Sequence, residues 1–256
     1  MIINHNLKNN TMNYKFGKRP AIFDPKTLRL SKYVKDLAPP PDSFDNLKVV
    51  YDKLKINDPK ELFLMDGNDT HGDCVCAAIA HAITIYNGLI GKYNVPDPKD
   101  VVNLYDRLEG CKGDVGLNML KVMKKWRKKS FLGEKILAFA AIDPKDHLSI
   151  RHCIHLFGGC LIGFNVQANV ITDFDNRIMW TPGTLTGEGH CVDTGAYYID
   201  YVDTLTWGND QKGNWPWVDE TWDEAYAIIP PEAEDPSFAP GFPFAELMDD
   251  LKYVTR

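Results

Sequence analysis

One thiol at the start of a helix and one distant histidine are the residues whose types and settings suit covalent chemistry. Cys74 follows the run Asp66-Gly67-Asn68-Asp69-Thr70-His71-Gly72-Asp73, which is dense in turn-forming residues. It opens the run Cys74-Val75-Cys76-Ala77-Ala78-Ile79-Ala80-His81-Ala82-Ile83, small and apolar on nearly every face. That pattern predicts a buried helix with Cys74 at its N-terminus and Asp73 or Thr70 as its cap. A helix N-terminus favours a thiolate through its dipole, and a neighbouring imidazolium does so more strongly. Cys76 lies roughly 200° further round the helix and is expected in the core. Far downstream, Gly189-His190 opens a strand, and a Tyr-rich strand pair ends in Thr206-Trp207-Gly208. A Cys–His pair is the minimal set for acyl transfer through a thioester. A cysteine at a helix start with no such context is most often a buried structural residue.

The elements that must hold these residues follow from hydrophobic period. Residues 1–38 are polar and turn-rich and read as an arm, joined by the stiff Ala38-Pro39-Pro40-Pro41-Asp42. Residues 45–64 are partly helical. Helices are expected over 98–108 and 117–128, the latter after the glycine-rich turn at 110–116. From residue 135 the pattern changes: strands at 136–142, 160–166, 189–198, 201–207 and 225–229, with a short helix at 147–156. Helices first and strands second is the α+β order, with a helical lobe over about 60–134 and a β lobe over about 135–229. The tail from Pro230 is proline-rich and ends in Phe244, Leu247, Met248 and Leu251 at helical spacing, either a docking or a partner-binding helix.

Composition bounds the function classes. The chain has 256 residues, 44% hydrophobic and 25% charged, with a net charge of −6. That supports a substantial core and gives no electrostatic footprint for nucleic acid. The basic run at 121–129 reads as the solvated side of a helix whose other side carries Met123 and Trp126. The polar N-terminus lacks the apolar region of a secretory signal, and no run of about 18 apolar residues suggests a membrane span. Cysteines at 74, 76, 111, 153, 160 and 191 are then expected as reduced thiols in a cytoplasmic or virion-associated protein. His152 and His155 share a helix face but lack the spacing of a zinc site, so no metal and no other cofactor is expected. His81 is about two turns beyond Cys74 and reads as structural. His71 is an alternative base.

Taken together these motifs resemble the papain-like cysteine peptidases. Gly72-Asp73-Cys74-Val75 resembles that family's nucleophile helix start, and Asn68 stands where the family has a glutamine donating to the oxyanion hole. Gly110-Cys111-Lys112-Gly113-Asp114 resembles its cleft-lining turn, Gly189-His190-Cys191 its histidine strand, and Leu205-Thr206-Trp207-Gly208 its Asn-Ser-Trp-Gly. The likeness covers roughly residues 41–229. It looks closer still to a group of uncharacterised papain-like proteins of bacteria and phages, through Gly67-Asn68-Asp69-Thr70-His71-Gly72-Asp73-Cys74. The resemblance implies a papain-like domain over 39–229 with the cleft between its lobes. Cys74 is then the nucleophile and His190 its base. Asn68 and the Cys74 N–H are the oxyanion donors, and Gly113, Asp114, Gly189 and Trp207 line the cleft, Trp207 shielding the histidine. The substrate is a peptide or amide.

The chain departs from the family at three places. Leu205 occupies the position of the asparagine that orients the histidine, leaving Asp203, Thr206 and Asn209 as substitutes. His71 stands where Cys111 would find its disulfide partner. Val75 replaces a tryptophan. Two rival functions remain open on this reading: a structural or binding protein with an idle site, such as a virion component, and a thiol acyltransferase. The arm reads either as an inhibitory pro-segment or as a permanent clasp, and the arm or the C-terminal helix also offers a surface to a protein partner.

Overall fold

The computed structural model describes residues 13–110 and 113–254. The chain begins with helix α1 (Leu30–Val34), a short strand β1 (Phe44–Asp45) and α2 (Asn46–Leu54). Helices α3 (Cys74–Leu89), α4 (Pro98–Glu109) and α5 (Met119–Trp126) follow. Next come β2 (Ala138–Ile142), α6 (His147–Phe157), β3 (Cys160–Gln167), α7 (Val170–Asp175), β4 (Leu185–Tyr197), β5 (Tyr201–Thr206) and β6 (Asn209–Asn214). The chain closes with α8 (Trp215–Thr221), β7 (Trp222–Ile229) and α9 (Phe244–Val254). The strands form one antiparallel sheet in the order β2-β7-β3-β4-β5-β6, with β1 added to β4.

Two larger apolar clusters fill this α+β architecture. One joins Cys74, Ile79 and Ile83 of α3 and Leu104, Met119 and Trp126 of α4 and α5 to Leu161, Cys191, Tyr226 and Ile228 of the sheet. The other packs Ile162, Phe164, Val192 and Ala227 beneath Ile150 and Ile154 of α6, Leu30 of α1 and Leu247 of α9. All of α3 from Cys74 to Gly88 is buried, as its apolar run requires. Asp97 and Asn118 cap α4 and α5 through side chains that accept from Lys99 and Lys121 N–H. No such bond caps α3: Asp73 stands at the cap position without a side-chain bond to the helix, and the Thr70 hydroxyl turns back to Gly67 O.

The N-terminal segment is built into the body. Leu28 O accepts from Ala141 N–H at 2.7 Å, and Leu30, Tyr33 and Val34 belong to the main core. The C-terminal helix docks on it, with Leu247 and Leu251 buried and Asp250 accepting from the Tyr33 hydroxyl at 2.6 Å. The sequence reading missed α1, β1, β6, α7 and α8. Asn209-Asp210-Gln211-Lys212-Gly213-Asn214 has no apolar alternation because β6 is the sheet's edge, where polar residues are tolerated. Among the described residues no helix is long and apolar enough to cross a membrane.

Asp193 on β4 carries a test of this core. Its carboxyl oxygens are buried with no side-chain hydrogen-bond partner among the described residues, and burial pushes its pKa up to about 7, offset in part by the nearby His81 and the Thr194 backbone N–H. In the unfolded chain the group ionises near 3.9. The folded state therefore holds a proton that the unfolded state has lost, and stability falls as pH rises from about 4 through 7. Asp193→Asn is expected to flatten that slope in urea-midpoint measurements between pH 4 and 8. An unchanged slope overturns the assignment.

Candidate active site

Cys74 is the first residue of α3 and is fully buried. The backbone N–H groups of Cys191 and Gly17 donate to its sulfur. Cys191 is the residue after His190, so β4 brings its histidine to the helix start. Gly17 belongs to the N-terminal segment, which runs through the site. Phe16 meets the His190 ring edge-on at 5.5 Å. Adjacent residues of one extended chain, about 3.8 Å apart, thus touch the thiol and the imidazole.

His190 sits in an aromatic box. It stacks on Trp207 at 4.6 Å and faces the edge of Phe164 at 5.6 Å. Its Nε2 bonds the Thr206 hydroxyl at 2.7 Å, while Nδ1 is buried with no hydrogen-bond partner among the described residues. With Nε2–H donating to Thr206 Oγ1, Nδ1 keeps a lone pair for a proton. Thr206 is therefore the orienting residue of the three that the sequence leaves open; neither Asp203 nor Asn209 bonds the ring. Leu205 points the other way, into a cluster with Leu47, Val50, Leu62, Phe63 and Ile85. Adjacent residues of a strand face opposite sides, so the same backbone that buries Leu205 delivers Thr206 to the imidazole.

The Trp207 position is enforced by its turn. Trp207 and Gly208 both have positive φ, 49° and 75°, in the two-residue turn that joins β5 to β6. Both signs match the type I′ hairpin turn, which favours Asn-Gly. A tryptophan in the left-handed region is strained, and strain of this kind persists where surroundings over-determine it. Here those surroundings are His190, Phe174 and Tyr14, which all pack on the indole.

Charge is absent from the pair in this state. Burial pushes the Cys74 thiol up to about 12, offset in part by the Cys191 and Gly17 N–H groups. Burial also holds His190 down at about 3. Asp73 is raised to about 8 by burial and by the nearby Asp66. At neutral pH the thiol and imidazole are both neutral.

The other expected site residues divide. Asn68 is buried, and its Nδ2 donates to Lys15 O and to His71 O, both at 3.1 Å, so its amide holds the arm. Gly189 O accepts from Lys18 N–H at 3.0 Å. Asp114 receives the Gly72 N–H at 2.7 Å and the Tyr105 hydroxyl at 2.6 Å, bracing the loop before Cys74. Gly113 faces open space, and the arm is gripped instead by Gly116 and Leu117. Cys111 and Lys112 lie outside the described residues. His81 bonds Leu64 O and Asp66, and His71 bonds Thr70; neither reaches the thiol. Trp217, Trp215 and Trp222 pack in the core. Among the described residues no group of His, Cys, Asp or Glu is arranged to hold a metal.

The Leu205–Thr206 division is testable by stability. Leu205→Asn buries an amide in an apolar cluster and is expected to cost about 2–4 kcal/mol. Thr206→Val strands the His190 N–H and is expected to cost about 1–3 kcal/mol. Denaturant midpoints report both. A neutral Leu205→Asn shows that the asparagine has found the imidazole and removes Thr206 from its place.

No protein-family model matches the sequence. A 90-residue stretch is 36% identical to the ATP-dependent protease subunit HslV of Helicobacter hepaticus, covering 33% of this chain and 49% of that one. The chain thus spans about half the length of the curated relative it matches, and no argument rests on it. Solved structures are informative about the fold. Xylellain, a cysteine protease from Xylella fastidiosa, superposes with a TM-score of 0.58 at 14% identity over 86% of this chain and 97% of its own. Procathepsin B S9 of Trypanosoma congolense gives 0.58 at 12% identity over 84% and 86%. Procathepsin L2 from Tenebrio molitor larval midgut gives 0.58 at 13% over 87% and 81%. With the strand order, the helix-borne cysteine and the strand-borne histidine, these matches establish that the chain has the papain-like cysteine protease fold.

Proposed function

We propose that this protein is a cysteine peptidase held latent by its own N-terminal segment. The observation that carries the reading is the single extended run in which Phe16 covers His190 and Gly17 covers Cys74. In the open state Cys74 gives its proton to His190, and the thiolate attacks the substrate carbonyl carbon. The oxyanion is held by Asn68 Nδ2 and by the Cys74 N–H, which, as the first helical residue, has no intrahelical partner. His190 then protonates the leaving amine as the C–N bond breaks. Water attacks the thioester, giving a proton to His190, and the C–S bond breaks to restore the thiol. Thr206 holds the ring, and Trp207 keeps water from that bond.

The segment fills the cleft without presenting itself for cleavage. Gly17 O accepts from Leu117 N–H at 2.7 Å, so its carbonyl is turned to the cleft wall. The sulfur meets the Gly17 N–H, a donor, where a substrate brings an electrophilic carbon. Five of the similar solved structures are likewise described as pro-forms or precursors.

Gly17→Val tests the reading. A Cβ at Gly17 stands 1.7 Å from Gly72 O, so the valine cannot seat and the arm leaves the thiol. In the intact chain Cys74 is expected to alkylate slowly at neutral pH, since its pKa is pushed up to about 12. In Gly17→Val the alkylation inflection is expected to fall below the ordinary thiol value of about 8.5, with hydrolysis of a peptide pool that Cys74→Ala abolishes. A folded Gly17→Val whose Cys74 reacts fast but cleaves nothing marks a binding protein with an idle site. Acyl capture by an added amine in preference to water marks an acyltransferase.

A further inference from the structure

The side chain of Lys18, next to the residue on the thiol, is buried to 5% exposure in a slot built for it. Its ammonium bonds Asp223 at 2.8 Å and lies 3.4 Å from Glu224. The floor of the slot is a row across the sheet: Gly163 of β3 pairs with Cys191 of β4 on one side and Glu224 of β7 on the other. A Cβ at Gly163 would stand 2.1 Å from Lys18 Cε, so only glycine leaves room for the stem. Met119 forms the near wall.

The acidic end depends on an irregularity. Gly163 pairs with Glu224 but Phe164 pairs with Trp222, so Asp223 is the extra residue of a β-bulge. In a regular strand, neighbours 223 and 224 face opposite sides. A bulge re-aims a side chain, and here it lets both carboxylates meet one ammonium. The Tyr226 hydroxyl donates to the second Glu224 oxygen at 2.9 Å and fixes that carboxylate.

We infer that this slot is a specificity pocket and that the enzyme selects substrates carrying a lysine or arginine at the residue bridging Leu117 and Gly189. The inference rests on the peptidase reading for its substrate, though not for its pocket. Those two edges supply backbone groups to the arm, Leu117 through its N–H and C=O and Gly189 through its C=O, and offer them equally to any extended peptide. The side chain at the bridging residue enters over Gly163. A neutral side chain leaves the buried Glu224 and the half-buried Asp223 without their cation, and a site built to bond a polar group rejects an analogue lacking it. Lys18 thus acts as a stand-in for the substrate's basic residue.

The test uses the full-length Gly17→Val chain in two independent assays. In the first, peptides differing only at one position are compared for cleavage. Lysine or arginine is expected to be favoured at least about tenfold over leucine or methionine, and Asp223→Asn with Glu224→Gln is expected to remove that ratio. In the second, a synthetic peptide of residues 13–24 and the same peptide with Lys18→Met are compared for protecting Cys74 from alkylation. The lysine peptide is expected to protect at least about tenfold better. Equal protection, or cleavage without a basic preference, overturns the pocket while leaving the peptidase standing. Selective protection with no cleavage of any peptide sinks the peptidase reading and leaves the pocket in place.

Discussion

The cleft depends on how closely one backbone can approach others. Gly17 lies so near Gly72 that no side chain fits between them, and Gly116, Gly189 and Gly163 are each bare where residues 17 and 18 pass. A wall stripped of side chains at these points leaves a channel one extended chain wide. Backbone hydrogen bonds then fix the register: Lys15 to Asn68, Lys18 to Gly189, Gly17 and Arg19 to Leu117. Such contacts hold an extended segment with little dependence on its side chains, as when a peptide is added to a sheet edge. The side chains that matter are Phe16, which covers the histidine, Tyr14, which stacks on Trp207 behind it, and the one cation that enters the slot.

Burial then decides the electrostatics. A thiolate–imidazolium pair needs water or fixed dipoles to stabilise both charges. With the segment seated, the site offers the thiol two N–H groups and the imidazole a hydroxyl, and desolvation outweighs both. The charged pair gives way to a neutral one. Lys18 obeys the opposite logic in the same cleft: it reaches a carboxylate at 2.8 Å and a second beside it, so its charge is matched where it is buried. One cleft thus suppresses charge at its centre and concentrates it at its side.

Helix α3 was legible because its signal is local: a turn-rich loop breaking into a run buried on every face. His190 and Trp207 were legible through the resemblance of their short motifs. What could not be read was anything set by pairing over long distance. Nothing in Phe16-Gly17-Lys18 announces that its partners are Cys74, Leu117, His190, Asp223 and Glu224. The bulge at Asp223 arises from the register between β3 and β7, which no single strand encodes. The offset at Leu205 and Thr206 shows the same limit at one-residue scale. Motif alignment puts a leucine on the orienting position, whereas strand alternation, once β5 is fixed by its hairpin, turns the next residue toward the imidazole.

The direction of the arm decides which of its backbone groups meets the thiol. Lys18 bridges Leu117 in parallel, with the Leu117 N–H on the carbonyl of the residue before and its C=O on the N–H of the residue after. Reversing a strand on the same edge exchanges which backbone groups face the wall and which face the sulfur. In the arm's direction the carbonyl goes to Leu117 and an N–H goes to Cys74; a substrate on the proposed reading runs the other way. The Lys18 slot does not distinguish the two, because a pocket that grips a side chain by its terminal charge is reached from either direction. On the peptidase reading proposed above, recognition is thereby shared between inhibitor and substrate while reactivity is not.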